Sequence, residues 1–216
     1  HFIPLAQDIW EKQRQRLHAV DNLIKTILAH DEFYENEDLR ILTVARYHRY
    51  KGLDCLIMAM KDVVCEINAK LYLLGRGEEE LRLKKLAKDL NISKYVEFVN
   101  TPIPNENMPN IYSSCDIYVQ PSIIEPYGIA VLEAMACGTP VIGSNRCSVP
   151  EIIGDAGLIV DPDDIESLAK AIHRILTDSE LRNHLIQKGY ERVKMFTWEK
   201  AAKETLKVFE EVYQKG

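Results

Sequence analysis

Glu125 and Glu133 stand eight positions apart in the stretch Ile-Ile-Glu-Pro-Tyr-Gly-Ile-Ala-Val-Leu-Glu that runs from residue 123 to 133. The second carboxylate is embedded among Ala130, Val131, Leu132, Ala134, Met135 and Ala136, in a segment patterned as a helix apolar on nearly every side. A charge in that setting is expected to be buried and to need a partner, because a desolvated carboxylate without one is costly. Either a neighbouring lysine or backbone amide satisfies it, or it opens onto a ligand that brings its own donors, such as the vicinal diol of a ribose. Glu125, in the loop before the helix, is either a solvated loop residue or a group that faces a sugar. Gly128 at the helix start allows a ligand to approach the backbone closely. The unpaired amides from Ile129 onward carry the positive end of the helix dipole, which suits anionic phosphate oxygens.

Two cations complete the set. Arg46 directly follows an apolar strand segment, and Lys51-Gly52 opens the next helix, so both charges and a helix amino end converge on one place where phosphate would bind. The bland alternative is a pair of ordinary surface cations. The turn Gly75-Arg76-Gly77 offers less. A dinucleotide fingerprint would need a third glycine where Glu80 stands, so hydride transfer loses its central support.

The elements that must position these residues read as alternating short β-branched runs and longer segments of helical period, the pattern of a doubly wound parallel α/β sheet with helices on both faces. Strands are expected at Ile41–Ala45, Leu71–Leu74, Tyr95–Val99, Asp116–Gln120, Pro140–Ile142 and Gly157–Val160. Helices are expected at Gly52–Ile67, Glu78–Leu90, Asn107–Ser113, Gly128–Cys137, from Asp163 or Asp164 to about Thr177, at Ser179–Val193, and from near Thr197 to Gln214. In such a sheet ligands bind at the carboxyl ends of the strands, which singles out the loops beginning at Arg46, Gly75, Asn100, Gln120 and Gly143. Residues 1–38 differ: a polar helical arm over 6–30 is followed by an acidic linker over 31–38.

Composition bounds the function. The chain of 216 residues supports one domain with attachments, and its net charge of −6 is interspersed, which argues against nucleic acid as a partner. Five cysteines without a C-x-x-C pair and six histidines without ligand spacing speak for a reducing compartment and against a structural zinc. No apolar run is long enough to span a bilayer. The expected location is the cytoplasm, including its membrane face, with peripheral membrane contact left open to another part of the protein.

At these residues the sequence resembles the retaining GT-B glycosyltransferases of family four (glycosyl transferases group 1). The donor half of that family carries an E-x7-E motif, matched here by Glu125 to Glu133, and the wording Glu-Ala-Met-Ala-Cys-Gly-Thr-Pro-Val continues it. The likeness runs from about Leu39 to Gln214 and includes Arg46 with Lys51-Gly52, the Gly75-x-Gly77 turn, Val96-x-Phe98, Pro150-Glu151 and Val160-Asp161-Pro162. It departs from the family at Ala45, Tyr50, Asn100 and Cys147-Ser148-Val149.

The resemblance implies a division into the arm and linker, 1–38, and a Rossmann-like donor-binding domain, 39–216, that is one half of a GT-B fold and lacks the acceptor half. It implies a nucleotide-diphosphate sugar, of UDP-glucose or GDP-mannose type, with Glu133 on the ribose, Glu125 on the sugar, and Arg46 and Lys51 on the diphosphate. Gly75, Gly128 and Ile129 would line the nucleotide, and main-chain groups around Glu97 to Val99, Phe98 among them, would hold the base. It implies no metal and no separate cofactor, and transfer of a hexose with retention to a glycan, lipid or small-molecule acceptor. The competing reading is a stand-alone nucleotide-sugar binding or regulatory module. An epimerase or phosphorylase of the same fold and a dehydrogenase are more distant alternatives.

Overall fold

The computed structural model describes residues 39–215, so the helical arm over 6–30, with Ile9 and Trp10, and the acidic linker 31–38 lie outside the described residues. Six strands, β1 (Leu39–Val44), β2 (Ala69–Leu74), β3 (Val96–Val99), β4 (Ile117–Gln120), β5 (Val141–Ser144) and β6 (Gly157–Val160), form one sheet in the order β3-β2-β1-β4-β5-β6. Every adjacent pair is parallel. The helices are α1 (Leu53–Glu66), α2 (Glu80–Asp89), α3 (Met108–Ser113), α4 (Ile129–Ala136), α5 (Val149–Ile153), α6 (Ile165–Thr177), α7 (Ser179–Val193) and α8 (Trp198–Lys215).

Strand alternation divides the core between the two faces of the sheet. Ile41, Leu71, Leu73, Ile117, Val119 and Ile142 pack under α1, α2 and α6, where Leu56, Ile57, Met60, Leu83, Leu168 and Ile172 meet them. Leu42, Tyr72, Leu74, Tyr118 and Val141 face the other way, onto Ile111, Tyr112, Val131, Met135, Ile152 and Ile153 of α3, α4 and α5. The doubly wound α/β fold expected from the sequence is therefore present.

Several boundaries shift for identifiable reasons. β1 and β2 begin two residues before their apolar runs because Leu39 and Arg40 pair with Ala69 and Lys70, extending the ladder through half-polar positions. Asp164, not Asp163, caps α6, its carboxylate accepting the Ser167 amide at 2.9 Å. α5 was absent from the expected elements: Pro150 in its first turn, tolerated there, breaks the helical pattern when the sequence is read alone. Among the described residues all five cysteines are free, and no helix is long and apolar enough to cross a membrane.

Candidate functional site

The winding reverses between β1 and β4, so the loops leaving their carboxyl ends diverge and open a crevice between them. The two loops are also stitched together. The amides of Ile123 and Ile124 both donate to the Tyr50 carbonyl, at 2.8 and 3.1 Å. Arg46, two residues past the end of β1, is exposed, and its guanidinium pairs with no described residue.

Glu125 sits in a more enclosed place than a loop carboxylate usually does. Its Oε2 accepts from Lys51 Nζ at 2.8 Å and from Gln120 Nε2 at 3.0 Å, and both charged side chains are only 14% exposed. Gln120 is itself fixed, donating to Ser122 Oγ at 2.6 Å and accepting from the buried Tyr118 hydroxyl. Ser148 Oγ donates to the Glu125 carbonyl at 2.7 Å. The solvated-loop reading of Glu125 fails on this network. Oε1 takes no hydrogen bond from a described residue, so one carboxylate oxygen is held and the other is open. Lys51 and Glu125, expected to serve the diphosphate and the sugar separately, form a direct ion pair that presents both sides of one charged unit.

α4 begins at Gly128, whose φ of 89° lies in the left-handed region and turns the chain into the helix without a side-chain cap. The amides of Ile129 and Ala130 have no acceptor among the described residues, so the helix amino end faces the crevice with unmet donors. Glu133 follows one turn later. The structure corrects the expectation that it is buried: the residue is open to solvent on one side, and its partner is neither a lysine nor an amide but the Tyr112 hydroxyl, donating to Oε2 at 2.8 Å. The protein atoms around its carboxyl still desolvate it enough to push its pKa above the ordinary glutamate value, against a smaller downward pull from the Tyr112 hydrogen bond. The same charge, added to burial, lifts the neighbouring Cys137 thiol to about 11.

Glu133 lines a cavity of about 1050 Å³ that runs beyond the strand ends. Gly75, Val99 and Ile129 line it as well, with Asn100 to Ile103 on one side and Phe196 and Trp198 on another. Arg46, Lys51, Glu125 and Gly128 are not part of its wall and occupy the adjoining crevice between β1 and β4. Phe98 is brought elsewhere: its ring meets Tyr47 edge-on with centroids 6.0 Å apart, under Lys84, on the opposite face of β3. Only its main chain remains available to a base, and the neighbouring Val99 carbonyl already accepts from the Gly75 amide at 3.1 Å. Among the described residues no group of three or more His, Cys, Asp or Glu is arranged to hold a metal ion.

Tyr112 and Gln120 are the functional candidates that sequence reasoning missed. The sequence marks Gln120 only as the start of a loop, and its partners Tyr118, Ser122 and Glu125 are near in sequence but form no recognised motif with it. Tyr112 lies in a different helix from Glu133, so no local spacing marks it.

A model of the glycosyl transferases group 1 family matches residues 26–192. An uncharacterised glycosyltransferase of Methanocaldococcus jannaschii is 34% identical over 178 residues, covering 81% of this chain and 45% of that protein. The chain thus spans less than half the length of this curated relative. Among solved structures, sucrose-phosphate synthase from Thermosynechococcus elongatus superposes with a TM-score of 0.74 at 33% identity, over 83% of this chain and 47% of that one. The carboxyl-terminal domain of a glycosyl transferase group 1 family protein from Francisella tularensis superposes with a TM-score of 0.67 at 26% identity, over 73% of this chain and 85% of that domain.

Proposed function

The chain belongs to the glycosyl transferases group 1 family, and on that premise we propose that it is the donor-binding, carboxyl-terminal half of an enzyme that moves a hexose from a nucleotide-diphosphate sugar to an acceptor. The observation that carries this reading is that the β1/β4 crevice and the cavity adjoining it present three groups that no described residue satisfies in full. They are the Arg46 guanidinium at the crevice, the amides of Ile129 and Ala130 at the start of α4, and Glu133 on the cavity wall, its carboxylate bonded only to Tyr112 among the described residues. The likeness to an isolated carboxyl-terminal domain supports the assignment to that half.

Each group has a role set by its chemistry. Arg46, Lys51 and the α4 amides stabilise the charge that develops on the departing nucleoside diphosphate, the task a divalent metal performs elsewhere. Glu133 accepts the two ribose hydroxyls. Glu125, anchored through Oε2, turns Oε1 toward the sugar and orients it; no nucleophilic role is assigned to it. The acceptor hydroxyl then attacks from the face the leaving group departs, which retains the anomeric configuration. The base occupies the cavity beside Val99 and the segment 100–103.

A thermal-shift panel of UDP, GDP and ADP, each beside its nucleoside, tests the reading. One diphosphate is expected to stabilise the chain by about 2.7 kcal/mol at a hundredfold excess over its dissociation constant, with its nucleoside far weaker. Arg46→Ala is expected to remove most of that difference. Absence of a shift with all three diphosphates would overturn the proposal.

A further inference from the structure

We infer that Tyr112 is a positioning residue for nucleotide recognition: its buried hydroxyl, donating to Glu133 Oε2, fixes the carboxylate in the orientation that leaves Oε1 to a ribose diol. The inference rests on the ribose role of Glu133 proposed above. Tyr112 borders the cavity that Glu133 lines but is only 1% exposed, and its hydroxyl is taken up by Glu133 Oε2, so its effect on a ligand runs through Glu133. It is also held where a positioning residue must be held. Its carbonyl accepts from Thr139 Oγ1 at 2.6 Å, just past the end of α4, and its ring meets Tyr118 of β4 edge-on with centroids 5.7 Å apart. α3, β4 and the α4–β5 turn therefore fix one hydroxyl against one carboxylate oxygen. A carboxylate has about four acceptor positions, so one bond to Tyr112 leaves enough for both hydroxyls of a diol. Without that bond the side chain is free to rotate about its terminal torsions, which are broad wells.

The same contact also bears on the ionisation of the site, partly countering the desolvation that raises the Glu133 pKa. Tyr112 on α3, Tyr118 on β4 and Cys137 at the end of α4 are the titratable groups whose interaction with Glu133 is felt, and no described cation on α3, α5, α7, β4 or β5 offsets its desolvation. The diol acceptor is the ionised form. Because the Tyr112 bond is the group that lowers the Glu133 pKa, removing it raises the pH below which diol recognition is lost.

The test compares the nucleoside diphosphate that binds most tightly among UDP, GDP and ADP with its 2′,3′-dideoxy analogue, on the 216-residue chain, across the acid range. The ratio of the two affinities isolates diol recognition and cancels titration of the phosphates. Tyr112→Phe is expected to reduce that ratio roughly three- to tenfold, to move its acid limb to higher pH, and to have no further effect in a Glu133→Gln background. Replacing Tyr112 by 4-aminophenylalanine, which keeps a donor on the ring, is expected to restore the ratio, and this variant carries the test should the phenylalanine destabilise the fold. If Glu133→Gln abolishes the ratio while Tyr112→Phe leaves both ratio and acid limb unchanged, the inference is overturned and the ribose role of Glu133 stands. If Glu133→Gln itself leaves the ratio intact, the ribose role is wrong and the inference falls with it.

Discussion

Glu133 is placed against its own stability. Desolvation holds its proton to a higher pH in the folded chain than in an unfolded one, and no cation among the described residues offsets the cost. The sign follows from linkage: the folding stability tied to this group is fully present below the pKa of an unfolded glutamate and is lost as the pH rises through the higher folded value. Glu133→Gln keeps an acceptor for Tyr112 and removes the charge. It is expected to raise the melting temperature at pH 7, to change it little near pH 4, and to weaken nucleoside-diphosphate binding by about 1–3 kcal/mol. Denaturation scans at the two pH values, beside a binding titration, check both halves. A melting temperature that falls at pH 7 with unchanged affinity would make Glu133 a structural residue. Glu125 sits differently, since Lys51 and Gln120 already compensate it, and that compensation fixes the direction of its free oxygen.

At the scale of elements, the site depends on turns that bring the strand ends close together. Gly75 ends β2 with a φ of 143°, and a Cβ built there would lie 1.9 Å from the Ala45 carbonyl oxygen. Gly128 has φ 89° but open surroundings, its hypothetical Cβ meeting Ile152, Glu125 and Val131 side chains no closer than 3.8 Å. The two glycines separate conformational strain from steric overlap. Gly128→Ala is expected to cost about 1–2 kcal/mol, the strain of a left-handed residue alone. Gly75→Ala is expected to cost more than that, because the β1 carboxyl end must also move, and to displace Arg46 with it. Urea denaturation of the two variants measures the difference; equal losses would show that the β1/β2 contact is not what demands glycine at position 75.

At the scale of the whole molecule, the described residues form one Rossmann-like α/β sheet with its helices, and a last helix, α8, that is largely exposed. α8 carries Leu206, Val208, Phe209, Val212 and Tyr213, each more than half exposed, while only its first turns, at Trp198 and Ala201, reach the cavity. Exposed apolar residues in such a row form a surface open to contact with another molecule or segment. Under the proposed function, the 216-residue chain binds the donor nucleotide yet transfers sugar and hydrolyses donor slowly, because positioning of an acceptor and exclusion of water supply much of the rate. Rates measured beside those of a family member of about twice this length decide the point. Comparable transfer by the two would place the acceptor site within these residues.

The sequence by itself determined the parallel α/β class, nearly all of the elements from β1 onward, and the placement of Arg46, Lys51, Glu125 and Gly128 near strand ends or helix starts, with Glu133 one turn into α4. These are properties of local periodicity and of which residue follows which strand, and both survive in a linear reading. The likeness of the 125–133 motif to a known family carried the chemistry further than spacing alone could. What the tertiary structure decided was pairing. That Lys51 grips Glu125 across 74 positions, that Phe98 turns to the far face of β3, and that Tyr112 meets Glu133 all depend on packing between elements distant in the chain. Burial of Glu133 was misjudged for the same reason. An apolar helix predicts that its neighbours are covered, but the cavity bounded by α3, segment 100–103 and the first turns of α8 leaves one side of that helix open.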